Sequence, residues 1–247
     1  ADVIALGTDP NGKNINDGYG STAPEKLQEK VREVRADVGI GFDGDGDRVV
    51  MVDHTGQLAD GDALIYVIAK HRHSQGRLQG GVVGTLMSNL GLEQALAALD
   101  IPFARASVGD RYVTEMLASK GWDVGGESSG HILCTDLNST GDAIVAALQV
   151  LVPMVEHDAS LVDLMSGMTK LPQVMINVTV DDPKKVAACD ALAEAIAREE
   201  SKLGDRGRTL VRASGTEPLL RVMVEGQDAD EVQEVANRLA IIAEDQQ

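Results

Sequence analysis

Asp43, Asp45 and Asp47 alternate with Gly44 and Gly46 and run directly into Arg48, in a stretch set between the apolar runs 37–42 and 49–52. Carboxylates at every second position can all turn to one side of a loop, and the glycines between them permit the backbone angles this needs. Three hard oxygen donors suit Mg²⁺, which binds through a few carboxylates and keeps positions for water and a substrate phosphate. Arg48 adds a planar positive fork of the kind that recognises phosphate. An EF-hand also opens on DxDxD, but it requires Gly at the sixth position and Glu at the twelfth. Here those positions hold Arg48 and His54. The remaining bland alternative is a solvated acidic turn between two strands.

Two further loops carry chemistry. In 125–131, GGESSGH, the residues Glu127, Ser129 and His131 stand at alternate positions. A carboxylate that only accepts and a hydroxyl that also donates together suit sugar hydroxyls. His131 is open to two readings, a proton shuttle near neutral pH or a hydrogen-bonded structural residue. Gly126, Ser128 and Gly130 also spell GxSxG, but a nucleophile elbow needs a helix directly after the serine, and 132–134 reads as strand. The third loop is 212–218, RASGTEP. Gly215 can turn successive N–H groups inward, Ser214 and Thr216 add hydroxyls, and Arg212 and Arg221 supply charge, which makes a phosphate nest without a P-loop lysine. The alternative is an ordinary hairpin with a Ser/Thr turn. A cation site, a sugar site and an anion site on one chain imply a phosphorylated sugar as ligand.

The elements that position these loops alternate in type. A strand is expected over 1–6, a helix from Pro24 to Ala36 with Leu27, Val31 and Val34 on one face, strands over 37–42 and 48–53, and a hairpin turn at 54–56. A second alternating unit follows: a helix from Asp60 or Asp62 to about 75, a strand at 80–87, a helix capped by Ser88, a strand at 101–106, a helix over 110–120, strands at 122–126 and 132–134, and helices over 142–157 and 160–168. Met154, Met165 and Met168 on these helices read as core. Pro172 marks a boundary. Beyond it come a strand at 174–180, one helix from Pro183 to about Leu203, strands over 207–213 and 219–225, and a helix over 228–244. The fold class is α/β: two mixed-sheet αβα domains, the first (1–58) incomplete and the second at 59–171, plus a small α+β domain at 172–247.

Composition bounds the partners. The 247 residues are 43% hydrophobic but only 2% aromatic, so aliphatic side chains and methionine must build the core. A formal charge of −17 repels nucleic acid and anionic membranes over most of the surface. Cys134 and Cys189, two and far apart, give neither a disulfide framework nor a metal-ligand spacing, which fits a reducing cytosol. No stretch reads as a membrane span or signal peptide. The chain begins without Met.

With all three loops in view, the sequence resembles the α-D-phosphohexomutase superfamily along its whole length, most closely the bacterial branch that acts on glucosamine phosphates. DGDGDR is similar to the metal loop of that family, GGESSGH to its sugar loop and RASGTEP to its phosphate loop. Gly84–Gly91, Val108–Val113 and Leu220–Glu225 also resemble the glucosamine branch more than the glucose or mannose branches. The resemblance implies a four-domain enzyme with a central cleft, in the bacterial cytoplasm. It would interconvert glucosamine 6-phosphate and glucosamine 1-phosphate through a phosphoserine and glucosamine 1,6-bisphosphate, on the way to UDP-N-acetylglucosamine and peptidoglycan. It further implies that Asp43, Asp45 and Asp47 hold Mg²⁺, that Arg48 supports the transferring phosphoryl, and that Glu127 and Ser129 hold the sugar with His131 beside the reacting oxygens. Arg212, Ser214, Gly215, Thr216 and Arg221 would clamp the other phosphate. The family's serine loop of the TASHNP type does not occur here, so the expectation is a missing N-terminal domain and no turnover by this chain alone; a homodimer stays open. Competing readings are a glucose or mannose phosphate mutase, a non-catalytic Mg²⁺ and phosphosugar binding module, and a HAD-type phosphatase. The last is disfavoured because Asp47 stands where that family has Thr or Val.

Overall fold

The computed structural model describes residues 1–214 and 217–246, which divide into two compact units. One unit holds 1–88 and 92–169; the other holds 89–91 and the chain from Lys170 onward.

In the first unit, helix α1 (Glu25–Val34) precedes the antiparallel strands β1 (Val38–Phe42), β2 (Val49–Asp53) and β3 (Leu58–Ala59). The β1–β2 register pairs Phe42 with Val49, so residues 43–48 form the connecting loop. The turn into β3 is built by Asp53, whose Oδ1 accepts from the N–H of Thr55 and of Gln57. Ala1–Leu6 forms no strand, against expectation. Val3 and Ile4 are exposed, at 81% and 59%, and without a paired neighbour β-propensity alone does not hold a strand.

A four-stranded mixed sheet follows, ordered β5 (Phe103–Ala106), β4 (Val82–Thr85), β6 (Val124–Gly126), β7 (Ile132–Cys134). The first three are parallel and β7 runs antiparallel to β6. Both faces are covered, and β4 is buried throughout, with only Thr85 polar. Val82 and Val124 point into one core with α2 (Gly61–Ser74), α3 (Leu90–Ala97) and α5 (Ala143–Glu156). Val83 and Leu133 point into the other with α4 (Asp110–Lys120). Val49 and Met51 of β2 join the first core, so the small antiparallel sheet and the αβα layers share one interior. Helix α6 (Leu161–Met165), opened by a Ser160–Asp163 capping box, closes the unit, and Met154, Met165 and Met168 pack on this core as expected. Buried Arg72 of α2 ties the layers, donating to Asp123 at 3.1 Å, Asp136 at 2.9 Å and Gln149 at 2.9 Å. Among the described residues no helix is long and apolar enough to cross a membrane.

The second unit is an antiparallel sheet, β8 (Gln173–Thr179), β10 (Leu219–Gly226), β9 (Gly207–Ala213), packed on α8 (Asp190–Leu203) and α9 (Ala229–Glu244). The single helix expected from Pro183 breaks into α7 (Pro183–Ala187) and α8, with Cys189 extended between them. Val186 and Leu192 are both buried. Six residues apart on one helix they would point about 120° from each other, wider than one narrow apolar stripe, and the break lets both turn inside. At the start of α3, Asn89 Oδ1 takes the Gly91 N–H at 2.9 Å and Ser88 Oγ accepts from the N–H of Thr85.

Candidate active site

The metal loop is closed from within by its first carboxylate. Asp43 Oδ1 accepts the N–H of Asp47 and of Arg48, both at 3.2 Å. Burial alone would raise the Asp43 pKa, but its contact with the Asp47 side chain, these two N–H donors and the Arg48 charge outweigh that and leave it below the ordinary value. Arg48 Nε lies 3.9 Å from Asp43 Oδ2 and 4.0 Å from Asp47 Oδ1. Asp45 is exposed. Oxygens from all three aspartates do not come within 4.8 Å of one another. Asp43 and Asp47 are therefore brought together and Asp45 stands apart, as expected of three like charges on a short loop.

The sugar loop lies directly against this one. Arg48 and His131 form a β-bridge, and Val49 N–H donates to Gly130 O at 3.1 Å. His131 Nδ1 sits 3.1 Å from Asp47 Oδ2. The His131 ring is only 5% exposed and packs on Gly141, where a Cβ would meet Nε2 at 2.4 Å. The hairpin β6–β7 turns in five residues, with Gly126 paired to Ile132, so Ser128 leads into a strand and the nucleophile-elbow alternative is excluded. Helix α2 supports the loop from below. Asp60 caps it by accepting from Ala63 N, and Gly61 N–H donates to Ser128 O at 3.0 Å. Glu127 Oε1 accepts the Gly109 N–H at 3.0 Å, leaving its second oxygen for a ligand, and Ser129 is exposed.

Does this loop fit Mg²⁺? The donors are carboxylate oxygens of the right hardness. One of them, Asp47 Oδ1, is buried with no hydrogen-bond partner, an atom that calls for a cation. Asp43 and Asp47 fit as they stand, and Asp45 needs a rotation of its exposed side chain to join them.

The phosphate loop belongs to the second unit. Arg212 and Arg221 face each other across β9 and β10, with Asn177 of β8 opposite Arg221 in the same row. Like charges directly opposed on a sheet are unfavourable unless an anion sits between them. Arg221 reaches Glu217 at 3.2 Å, while its Nε is buried with no partner among the described residues. Ser214 N–H donates to Leu219 O at 2.8 Å, which closes the loop's base. Gly215 and Thr216 lie outside the described residues.

One cluster escaped the sequence reading. His71, Glu156 and His157 place ligand atoms within 4.8 Å of one another. Their separation along the chain gave no signal.

A phosphohexomutase is the class this fold and these loops describe, and comparison with known proteins agrees. Residues 60–171 match the model "Phosphoglucomutase/phosphomannomutase, alpha/beta/alpha domain III", and residues 175–242 match the C-terminal domain of the same family. The chain belongs to that family. It is 58% identical over 240 residues to the phosphoglucosamine mutase of Aeromonas salmonicida, covering 97% of this chain and 54% of that protein. To the phosphoglucosamine mutase of Nitrosococcus oceani it is 55% identical, covering 97% and 53%. The chain thus spans about half the length of the curated relatives it matches. Among solved structures, Aspergillus fumigatus N-acetylphosphoglucosamine mutase in complex with GlcNAc-6P and magnesium superimposes with a TM-score of 0.73 at 24% identity, over 93% of this chain and 53% of that one. A Burkholderia thailandensis phosphoglucomutase/phosphomannomutase family protein gives 0.72 at 20% identity, over 91% and 50%. At these identities the structures speak to the fold alone.

Proposed function

We propose that this chain is the metal-, sugar- and distal-phosphate-binding part of a phosphoglucosamine mutase. The reaction is the interconversion of glucosamine 6-phosphate and glucosamine 1-phosphate, by way of a phosphoserine and a 1,6-bisphosphate, for UDP-N-acetylglucosamine synthesis. Residues 1–58 belong to the second of four domains, 59–171 form the third and 172–247 the fourth; the spans of the two family models support that division. The observation that carries the reading is the junction of the first two loops, where Asp47, Arg48 and His131 meet.

In this reading Asp43, Asp45 and Asp47 hold Mg²⁺, which neutralises charge on the transferring phosphoryl group. Arg48 offers its outer N–H groups to the same phosphoryl oxygens. Glu127 accepts sugar hydroxyls through the oxygen not bound to Gly109, and Ser129 adds a donor. Arg212, Arg221 and Ser214, with Gly215 and Thr216, bind the phosphate that is not reacting. His131, expected beside the reacting oxygens, is assigned here to orienting Asp47: with the proton on Nδ1 it would donate to Oδ2 and leave Oδ1 free to hold a cation.

Two measurements test this. The chain alone shows no mutase turnover, and joining it to the N-terminal half of the Aeromonas salmonicida relative gives turnover on glucosamine 6-phosphate in preference to glucose or mannose phosphates. Preference for a hexose phosphate would favour a phosphoglucomutase or phosphomannomutase, and ligand binding with an inert chimera would favour a non-catalytic module. Separately, Mg²⁺ raises the melting temperature of the chain, since a cation bound only to the folded state stabilises it. Asp45→Asn largely removes that shift.

A further inference from the structure

At the end of α2 away from the sugar loop, His71 enters a second cluster of metal-ligating groups. Its ring is 9% exposed, and both ring nitrogens are buried without a hydrogen-bond partner. A buried imidazole with neither nitrogen satisfied is costly unless something else takes the lone pair. Nε2 lies 3.5 Å from Glu156 Oε2, near the spacing of about 3.3 Å between two ligands of a tetrahedral zinc ion. The His157 ring stands edge-on to His71 with centroids 5.6 Å apart. Glu156 ends α5 and His157 is its C-cap residue, so both side chains come from a fixed helix terminus. Gln75 Nε2 donates to Glu156 Oε2 at 3.1 Å and holds that carboxylate in place.

We propose that His71, Glu156 and His157 form a structural binding site for a zinc-class divalent ion, clamping the last turn of α2 to the end of α5. Two imidazoles and one carboxylate are borderline ligands that favour zinc over Mg²⁺. Three protein ligands leave the fourth position to water. Both His71 nitrogens are buried without a hydrogen-bond partner, which leaves the ring lone pair available to a cation. Of the nearby cations, Arg72 is neutralised by Asp123 and Asp136, and Arg77 is exposed to screening solvent. The clamp is independent of the mutase reading and would persist if that reading failed.

The test uses the 247-residue chain carrying Asp45→Asn and Asp47→Asn, so that the carboxylate loop does not compete for zinc. After removal of metal with chelator, calorimetric titration with ZnCl₂ gives one equivalent bound. At zinc tenfold above Kd the melting temperature rises by about 3 °C or more, and MgCl₂ gives no such rise. His157→Ala, an exposed change, leaves the melting temperature in chelator unaltered and weakens zinc binding more than about tenfold. His71→Ala abolishes binding; where that variant does not fold, the pair Glu156→Gln with His157→Ala serves in its place. Binding that survives the paired change, or zinc affinity weaker than millimolar, overturns the proposal.

Discussion

The metal and sugar loops of the first unit and the phosphate loop of the second are both turns between strands, yet they are held in opposite ways. In the first unit the backbone does the holding: Val49 to Gly130, Gly61 to Ser128 and Ala143 N–H to Gly46 O at 3.0 Å link loop to loop and loop to helix. The functional side chains there are already engaged, Asp43 with two N–H groups and Asp47 with His131. In the second unit the register of two strands sets two arginines face to face, and Arg221 keeps a buried Nε unsatisfied among the described residues. In the proposed reading, geometry is fixed where chemistry needs a defined direction, and charge is left in excess where an anion would be captured.

The largest effect should come from breaking the backbone contacts of the first unit. A Cβ at Gly61 would meet Glu127 O at 2.0 Å and Gly130 N at 2.7 Å, neither of which is a side-chain end that can swing away. Gly61→Ala should cost about 3 kcal/mol in urea unfolding. A cost below about 1 kcal/mol would mean that the sugar loop is not pinned to α2. On the other side of the comparison, Arg221→Ala should leave stability within about 1 kcal/mol, because it relieves the repulsion with Arg212. It should weaken glucosamine 6-phosphate binding by the complete protein at least about tenfold, measured by calorimetry. Equal losses of stability and binding would erase the contrast.

The smallest effect concerns the helices behind the second sheet. Glu199 of α8 is bonded to Lys202 at 2.9 Å and to Arg238 of α9 at 3.0 Å. Burial works to raise its pKa, but the bonds from Arg238 and Lys202 prevail and leave it below the ordinary value of 4.5. A carboxylate with a depressed folded pKa stabilises above its ordinary value and loses that contribution as pH falls through the folded one. Glu199→Gln should therefore cost about 1 kcal/mol at pH 7 and nothing well below pH 4, read as a shallower acid limb in melting temperature against pH.

Much of this was legible before any coordinates. The hairpin around 43–48 could be read because apolar runs flank an acidic, glycine-rich turn, and Asp60, Asp142 and Asp228 announced helix starts, where each accepts backbone N–H groups. What escaped depended on contacts between distant residues. Nothing local shows that Asp43 spends an oxygen on its own loop, or that His131 is enclosed by Gly141. The break at Cys189 follows from which faces Val186 and Leu192 must bury, and helix periodicity within a single apolar stripe does not reveal it. Nothing in the local sequence marks Arg72 of α2 as the buried centre of a four-residue polar network.

The glycines of the β6–β7 hairpin bear on how such a protein could change its preference for one sugar over another. A side chain at Gly125, Gly126 or Gly130 would run into the carbonyl of Val83, His131 or Val49 respectively. Room for variation at this hairpin is thereby left to Ser128 and Ser129, since the neighbouring Glu127 side chain is tied to the Gly109 N–H. In the proposed reading of this hairpin as the sugar loop, selectivity would be adjusted at those two adjacent positions, while the platform that presents them is closed to drift.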